Sequence, residues 1–384
     1  MIKIEQLDAT DFEEAMDFMN LVFGAHRPHD FATLLPTLYQ PTDELMNCIW
    51  AIRESGRIVA TVGSYPLEWN VLGKNLSLAG IGGGSSHPRR RGKGYMQELM
   101  KYCVAEMRSN GIHASWLGGQ RQRYGYFGYE KCGMTYEYNL SKNNLRHVFG
   151  TINSDITFRP LDPLDNTHLK GIAHLHATNP IRRNRPIKRF DTILRSWNNV
   201  PYIAIGSDGR MIGYIVASID KSSVVEITGI KEGEPAFEIA RAWTEQQPNS
   251  TVRFELPPWH ELVGSLGKVA ESYSIHSSGN WLVVDWATTL HALLNARLNF
   301  TQLIEGRVII EILSEGKFAL QIDSEGATCQ QSDEESDISL DAKNALRLLF
   351  GPLPPETVIP QCDAFYTLSQ WCPLPLNLLR QDAV

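Results

Sequence analysis

Residues 79–130 read AGIGGGSSHPRRRGKGYMQELMKYCVAEMRSNGIHASWLGGQRQRYGYFGYE. A strand ending near Ser86 runs into a basic turn punctuated by glycine, and an amphipathic segment opens at Tyr95. Met96, Leu99, Met100, Cys103, Val104 and Met107 recur at helical spacing, and Gly111 supplies the C-terminal stop. The first turn of such a helix leaves backbone N–H groups unpaired and carries partial positive charge, so it receives phosphate well. Gly92 and Gly94 let the backbone approach an anion with no side chain intervening, and their N–H groups can form a nest. The stretch predicts an anion cradle between a strand and a helix.

Composition narrows what surrounds that cradle. The chain has 384 residues, which favours two or three domains over one. A hydrophobic share of 43% with 30 Gly and 20 Pro is that of an ordinary globular protein. The net charge of −7 argues against nucleic acid as a partner, because phosphate neutralisation needs a basic face, and it suits a cationic substrate such as an amine. No run of about eighteen apolar residues is present, so no membrane span is expected. The opening MIKIEQLDATDFEEA lacks the basic-then-apolar order of a secretory signal. The six cysteines are scattered without metal-ligand spacing; reduced thiols, a cytoplasmic setting and no metal are the expectation. His26 and His29 read as loop histidines, having no carboxylate or cysteine at ligand spacing, and His174 and His176 lie two apart and diverge on a helix.

Working outward, Ile2, Ile4 and Leu7 alternate like a first strand, and Asp11 opens a helix with Phe12, Ala15, Met16, Met19 and Phe23 on its apolar face. Strands come next at 47–52 and 57–63, turning at Glu54-Ser55-Gly56, and at 70–72 and 76–84, turning at Gly73-Lys74. After the cradle helix comes a strand at 114–117. From Ile156 the pattern restarts: a strand at 156–161, helices near 169–176 and 187–197, strands at 202–205, 212–218 and 224–230, and a helix at 235–245. The second strand-to-helix connection, Gly229 to Pro235, lacks the arginine and carries Glu232-Gly233-Glu234, whose negative charge would repel a pyrophosphate. After Arg297 the character changes again, with strands at 306–313 and 317–322, an acidic loop at 331–337 and a helix at 340–350 ending at Gly351-Pro352.

The run His87-Pro88-x-x-Arg91-Gly92-Lys93-Gly94-Tyr95-Met96, then Leu99-Met100, then Tyr124-Gly125-Tyr126-Phe127-Gly128-Tyr129-Glu130, resembles the acetyl-CoA site of the GCN5-related N-acetyltransferase (GNAT) superfamily. Two registers fit its phosphate motif, Arg89-x-x-Gly92-x-Gly94 and Arg91-x-x-Gly94-x-Met96; the second keeps the Pro-x-x-Arg offset and is preferred. The region after Arg297, with its Leu-Leu-Phe-Gly-Pro-Leu-Pro-Pro run, looks like a sterol carrier protein type 2 (SCP2) domain. Together the chain is similar to the enhanced intracellular survival (Eis) family. The implied fold class is α/β (α+β): a GNAT domain at 1–150, a second, degenerate GNAT-like domain at 151–295, and an SCP2-like domain at 296–384 whose tail returns to the active site. The implied activity is transfer of acetyl from acetyl-CoA to a primary amine, whether aminoglycoside, polyamine or lysine side chain, in a homo-oligomer. By motif position the resemblance places Gly84, Ser85 and Ser86 along the pantetheine arm and Arg91, Gly92, Lys93, Gly94, Tyr95 and Met96 around the pyrophosphate. It gives Tyr124 to the thiol and the carboxylate of Val384 to the amine proton. Met96 stands where the family has a small residue, and Gly84 where it prefers valine.

The chemistry is consistent with such roles. An amine with a pKa of about 10.4 must lose its proton before attacking a thioester. A tyrosine at about 10 is a weaker acid than a thiol at about 8.5, so full proton transfer to the thiolate is uphill by roughly 2 kcal/mol, and a hydrogen bond is the simpler role. Tyr126, Phe127 and Tyr129 are expected to be packing residues. The last fourteen residues, WCPLPLNLLRQDAV, are too apolar for a free tail, and Asp382 is a second carboxylate close to the terminal one. Two other readings remain open on sequence alone: a lipid or small-molecule carrier with a vestigial GNAT module, and transfer of another acyl group.

Overall fold

The structure is a computed structural model in which residues 2–24, 28–150, 154–231 and 235–384 are described. The chain is mixed α/β, with three sheets among the described residues, and it divides into two compact units. Unit one comprises 1–133, 277–376 and 383–384; unit two comprises 134–276 and 377–382.

In unit one, strands Glu5–Gln6, Ile49–Glu54, Arg57–Val71, Lys74–Ser86, Ala114–Leu117, Asn280–Val283 and Glu130–Lys131 lie side by side in that order. The two hairpin turns have both central residues at positive φ, Ser55 and Gly56 (51° and 78°) and Leu72 and Gly73 (49° and 88°). Such turns match the right-handed twist of the strands they join. Lys74–Ser86 and Ala114–Leu117 run parallel and pair only from Leu78 and Ala114 to Ile81 and Leu117. Beyond that point Gly82–Ser86 has no strand partner on this side among the described residues, and the sheet opens. Helix Tyr95–Ser109 covers one face through Leu99, Met100, Cys103 and Met107, which pack on Ile52, Val62, Ala79 and Ile81.

Unit two repeats the arrangement. Its seven strands run in the order Ser272–His276, Thr135–Ser141, Thr251–Leu256, Ser223–Gly229, Met211–Ser218, Asn199–Ile205 and Thr157–Pro160. Here too one central pair is parallel, held only at Ser223–Arg253 and Val224–Phe254 before it opens. Helix Pro235–Gln246 comes close behind the open strand: a Cβ on Gly229 would stand 2.7 Å from the nitrogen of Ala236. The Glu232-Gly233-Glu234 connection lies outside the described residues, as does His26.

Strand membership crosses the boundaries expected at 150 and 295. Thr135–Ser141 belongs to the second sheet and Asn280–Val283 sits inside the first. The period of a strand tells which face it buries but not which sheet it joins, so sequence alone divides the chain into consecutive segments. The third sheet, Gly326–Gln331, Gly316–Asp323, Gly306–Ile312 and Ile338–Leu340, clusters with unit one, together with helices Trp286–Phe300, Ala342–Phe350 and Asp363–Trp371.

Candidate active site

The site is built around a bulge in Lys74–Ser86. Thr61 pairs with Ser85 and Gly63 with Gly82, so Gly83 and Gly84 together oppose the single residue Val62. Gly83 takes φ 60°, and its carbonyl accepts a 3.0 Å bond from the buried Thr61 hydroxyl. A bulge of this kind turns two successive residues to one face and re-aims the remainder of the strand. Gly82 and Gly83 therefore share a face with Gly80, while Gly84 turns to the face covered by helix Tyr95–Ser109.

Each face then receives a group from far along the chain. On the helix side, a Cβ at Gly84 would lie 3.4 Å from the Tyr124 hydroxyl oxygen and 3.8 Å from Cε of Met96. Gly84 and Met96, the two departures noted in the sequence, thus stand against each other, the long side chain of one occupying the volume the other leaves. On the opposite face, a Cβ at Gly80 would lie 2.6 Å from Cγ2 of Val384, and one at Gly82 would lie 3.1 Å from its carboxyl carbon. The glycine run is a cleared track for the C-terminal residue, which is itself only 8% exposed. Tyr65 lies beside it, 3.5 Å from the same point on Gly82, and Tyr39 projects its hydroxyl to 2.9 Å from a Cβ on Gly83.

Tyr124 ends the short helix Arg121–Tyr124, and its ring needs Gly119, where φ is 141° and a Cβ would stand 2.7 Å from Cε2. Burial holds its hydroxyl above the usual tyrosine value, so it stays protonated and is a hydrogen-bond donor. The turn is seated from below: Glu130, 2% exposed, accepts from Arg121 Nε at 2.5 Å and from Arg347 Nη2 at 2.8 Å. Tyr129 is fully buried with its hydroxyl 2.6 Å from Ser115 Oγ, and Phe127 packs on the same core. Tyr126 is not a packing residue. The 3-10 turn Gly125–Phe127 turns it outward to 86% exposure.

The cradle has the backbone an anion site requires. Gly92 and Gly94 both take φ 80°, and Gly94 begins helix Tyr95–Ser109 with no side-chain cap on its first N–H groups. Arg91 is exposed beside it. Glu54 accepts from the Tyr95 hydroxyl, from Lys93 Nζ at 2.9 Å and from Arg90 Nε at 2.5 Å, which in that order hold its carboxyl down to about 2. Ser85 is fully buried, backbone and side chain alike, and its hydroxyl has no hydrogen-bond partner. A Cβ at Gly94 would meet nothing within 4 Å, so the demand there is φ and not space. Gly94→Leu is expected to weaken acetyl-CoA binding by about 5–30-fold, from roughly 1–2 kcal/mol of left-handed strain relieved by distorting the turn. Titration calorimetry on the folded variant reads this; unchanged affinity would mean the cradle is elsewhere.

The other candidates fall away from this centre. Among the described residues no group of three or more His, Cys, Asp or Glu is placed to hold a metal ion. His29 stacks on Phe23 and meets Phe31 edge-on, His174 is exposed, and His176 is buried with Nε2 3.0 Å from the Arg183 carbonyl. No helix among the described residues is long and apolar enough to cross a membrane.

Comparison with known proteins agrees with this geometry. Residues 3–132, which lie within unit one, match the family model described as an acetyltransferase (GNAT) domain. No curated protein sequence matches the chain. Among solved structures, a conserved protein of unknown function from Enterococcus faecalis V583, titled a probable N-acyltransferase, superposes with TM-score 0.73 at 18% identity, covering 98% of this chain and 99% of that one. A GCN5-related N-acetyltransferase from Kribbella flavida gives 0.69 at 17% identity, and Eis1 from Mycobacterium abscessus 0.67 at 14%, each covering 100% of both chains. At these identities the likeness is one of fold.

Proposed function

We propose that the protein is an acetyl-CoA-dependent N-acetyltransferase acting on a primary amine by direct attack in a ternary complex. The observation that carries the reading is the placement of Tyr124 and Val384 on opposite faces of one bulged strand. Acetyl-CoA would lie along Gly84–Ser86 with its pyrophosphate on Arg91–Met96, its thioester reaching the bulge. The amine nitrogen attacks the thioester carbon, and a backbone N–H freed by the open strand holds the developing oxyanion. The carboxylate of Val384 takes the ammonium proton beforehand, directly or through water. As the C–S bond breaks, the Tyr124 hydroxyl donates a hydrogen bond to the departing thiolate, and the second proton lost from the attacking nitrogen passes through water to that sulfur, leaving a neutral amide and CoA thiol. Asp382 is a poor alternative base, since Arg185 occupies both its oxygens at 2.7 and 2.9 Å.

We assign the third sheet and its helices to an SCP2-like module that supports the Tyr124 turn through Arg347 and Glu130. The acceptor class is a polyamine, aminoglycoside or lysine side chain, and calorimetry is expected to count one acetyl-CoA per chain. A stoichiometry of two would overturn the assignment of the site to unit one alone.

A further inference from the structure

In unit two a segment of the chain itself lies against the open strand pair: Leu379 lines the narrow cleft left there, and Arg380 reaches Glu255 at 3.5 Å. The cleft between Val225–Thr228 and Glu255–Pro257 is lined by Leu379 and by His260, whose Nε2 lies 2.9 Å from the Ile227 carbonyl. In unit one the matching stretch of open strand is the proposed seat of acetyl-CoA. We infer that the cofactor split of the second unit has become the seat of the C-terminal segment 377–382, with Arg185 as the positioning residue that fixes it.

The fixing is polar and directional. Arg185 has a fully buried side chain and forks between two carboxylates, donating to Asp382 at 2.7 and 2.9 Å and to Glu226 at 2.9 and 2.8 Å. Tyr214 donates to Glu226 at 2.6 Å from the far side. One residue earlier, the Gln381 amide donates to the carbonyls of Leu194 and Ile193 at 2.7 and 3.1 Å and accepts from Asn199 at 2.8 Å. Asn377 donates to the Met134 carbonyl and the Thr135 hydroxyl, both at 2.8 Å. Burying an ion cluster of this kind adds little stability over an apolar plug of equal size, but it permits one geometry. An apolar tail needing only cover would have been served by leucines. What this segment receives is a fixed orientation, and the next two residues, Ala383 and Val384, belong to unit one. Residue 382 is thus joined to Val384 through a single intervening residue.

What the seat does for turnover rests on the reading that the Val384 carboxylate takes the amine proton, and the test separates the two claims. Asp382→Asn keeps the shape and removes the side-chain charge that faces Arg185 and, at 4.0 Å, Arg183, while Arg185 keeps its pair with Glu226. Gln381→Met removes the neighbouring anchor without touching the ion cluster. In each variant, release of Val384 by carboxypeptidase Y is expected to accelerate roughly tenfold and kcat to fall roughly tenfold, with the acetyl-CoA dissociation constant unchanged. The pH–rate profile of Asp382→Asn should keep its acid limb on a lowered plateau, because the base itself is still present. Unchanged release in both variants overturns the inference, as does a lost acid limb in Asp382→Asn, which would make Asp382 the base. Faster release with unchanged kcat leaves the seat standing and removes the terminal carboxylate from the chemistry.

Discussion

Replacing Tyr124 with phenylalanine is expected to lower kcat by roughly 10²–10⁴ while acetyl-CoA affinity and thermal stability stay close to those of the parent. The ring is what packs: it fills the space over Gly119 and stands against Gly84 and Met96. In the proposed reaction the hydroxyl is the donor to the thiolate, and burial holds it above the usual tyrosine value, which keeps it protonated. A structural tyrosine would behave in the opposite way, losing stability and keeping turnover. Tyr129 supplies that contrast in the same motif, because its hydroxyl is bonded to Ser115 in a fully buried site. Tyr129→Phe should therefore cost stability, about 1 kcal/mol for a lost buried hydrogen bond, with far less effect on kcat. Turnover and melting temperature measured on both variants decide it; near-normal kcat for Tyr124→Phe returns Tyr124 to the core.

The second large effect is expected at the chain's end. Three glycines added after Val384 move the carboxylate while leaving every leucine of the tail in place, and kcat should fall by roughly 10²–10⁴, as for a lost base. Gly80→Val reaches the same end from the other side. Its side chain would begin 2.6 Å from Val384 Cγ2, so the terminal residue must leave the strand, whereas valine is otherwise welcome in a sheet. Acetyl-CoA binding by calorimetry should survive both changes, since the cradle at Arg91–Met96 is untouched. Full activity in the extended chain would show that the carboxylate of Val384 is not the base.

How much of this is legible in the sequence depends on distance along the chain. Helix Tyr95–Ser109 and strand Ala114–Leu117 are readable almost to the residue, because Gly94 and Gly111 take positive φ at the two ends and the apolar period between them is unbroken. Arg57–Val71 reads as two short strands, since Gly63 and Pro66 interrupt an alternation that the backbone carries straight through. Asn280–Val283 escapes a sequence reading because its partner, Ala114–Leu117, lies far back in the chain. Tyr126 looks like a packing residue by composition, but the turn that carries it has a three-residue period and points it to solvent. The run Gly80-Ile81-Gly82-Gly83-Gly84 announces close approach to a backbone. It does not announce that the visitor is residue 384, which only the folded chain brings there.

The proposed reaction is amine-dependent acetyl transfer at the bulge of unit one. It is tested most directly by measuring CoA thiol release from acetyl-CoA across a panel of polyamines, aminoglycosides and lysine peptides, with mass spectrometry of the product. The expected result is release that depends on at least one amine, matched by acetylated product and abolished to background in Tyr124→Phe. Acetyl-CoA that binds in the cradle yet gives no amine-dependent release would rule this reaction out, and release that Tyr124→Phe leaves intact would remove Tyr124 from it.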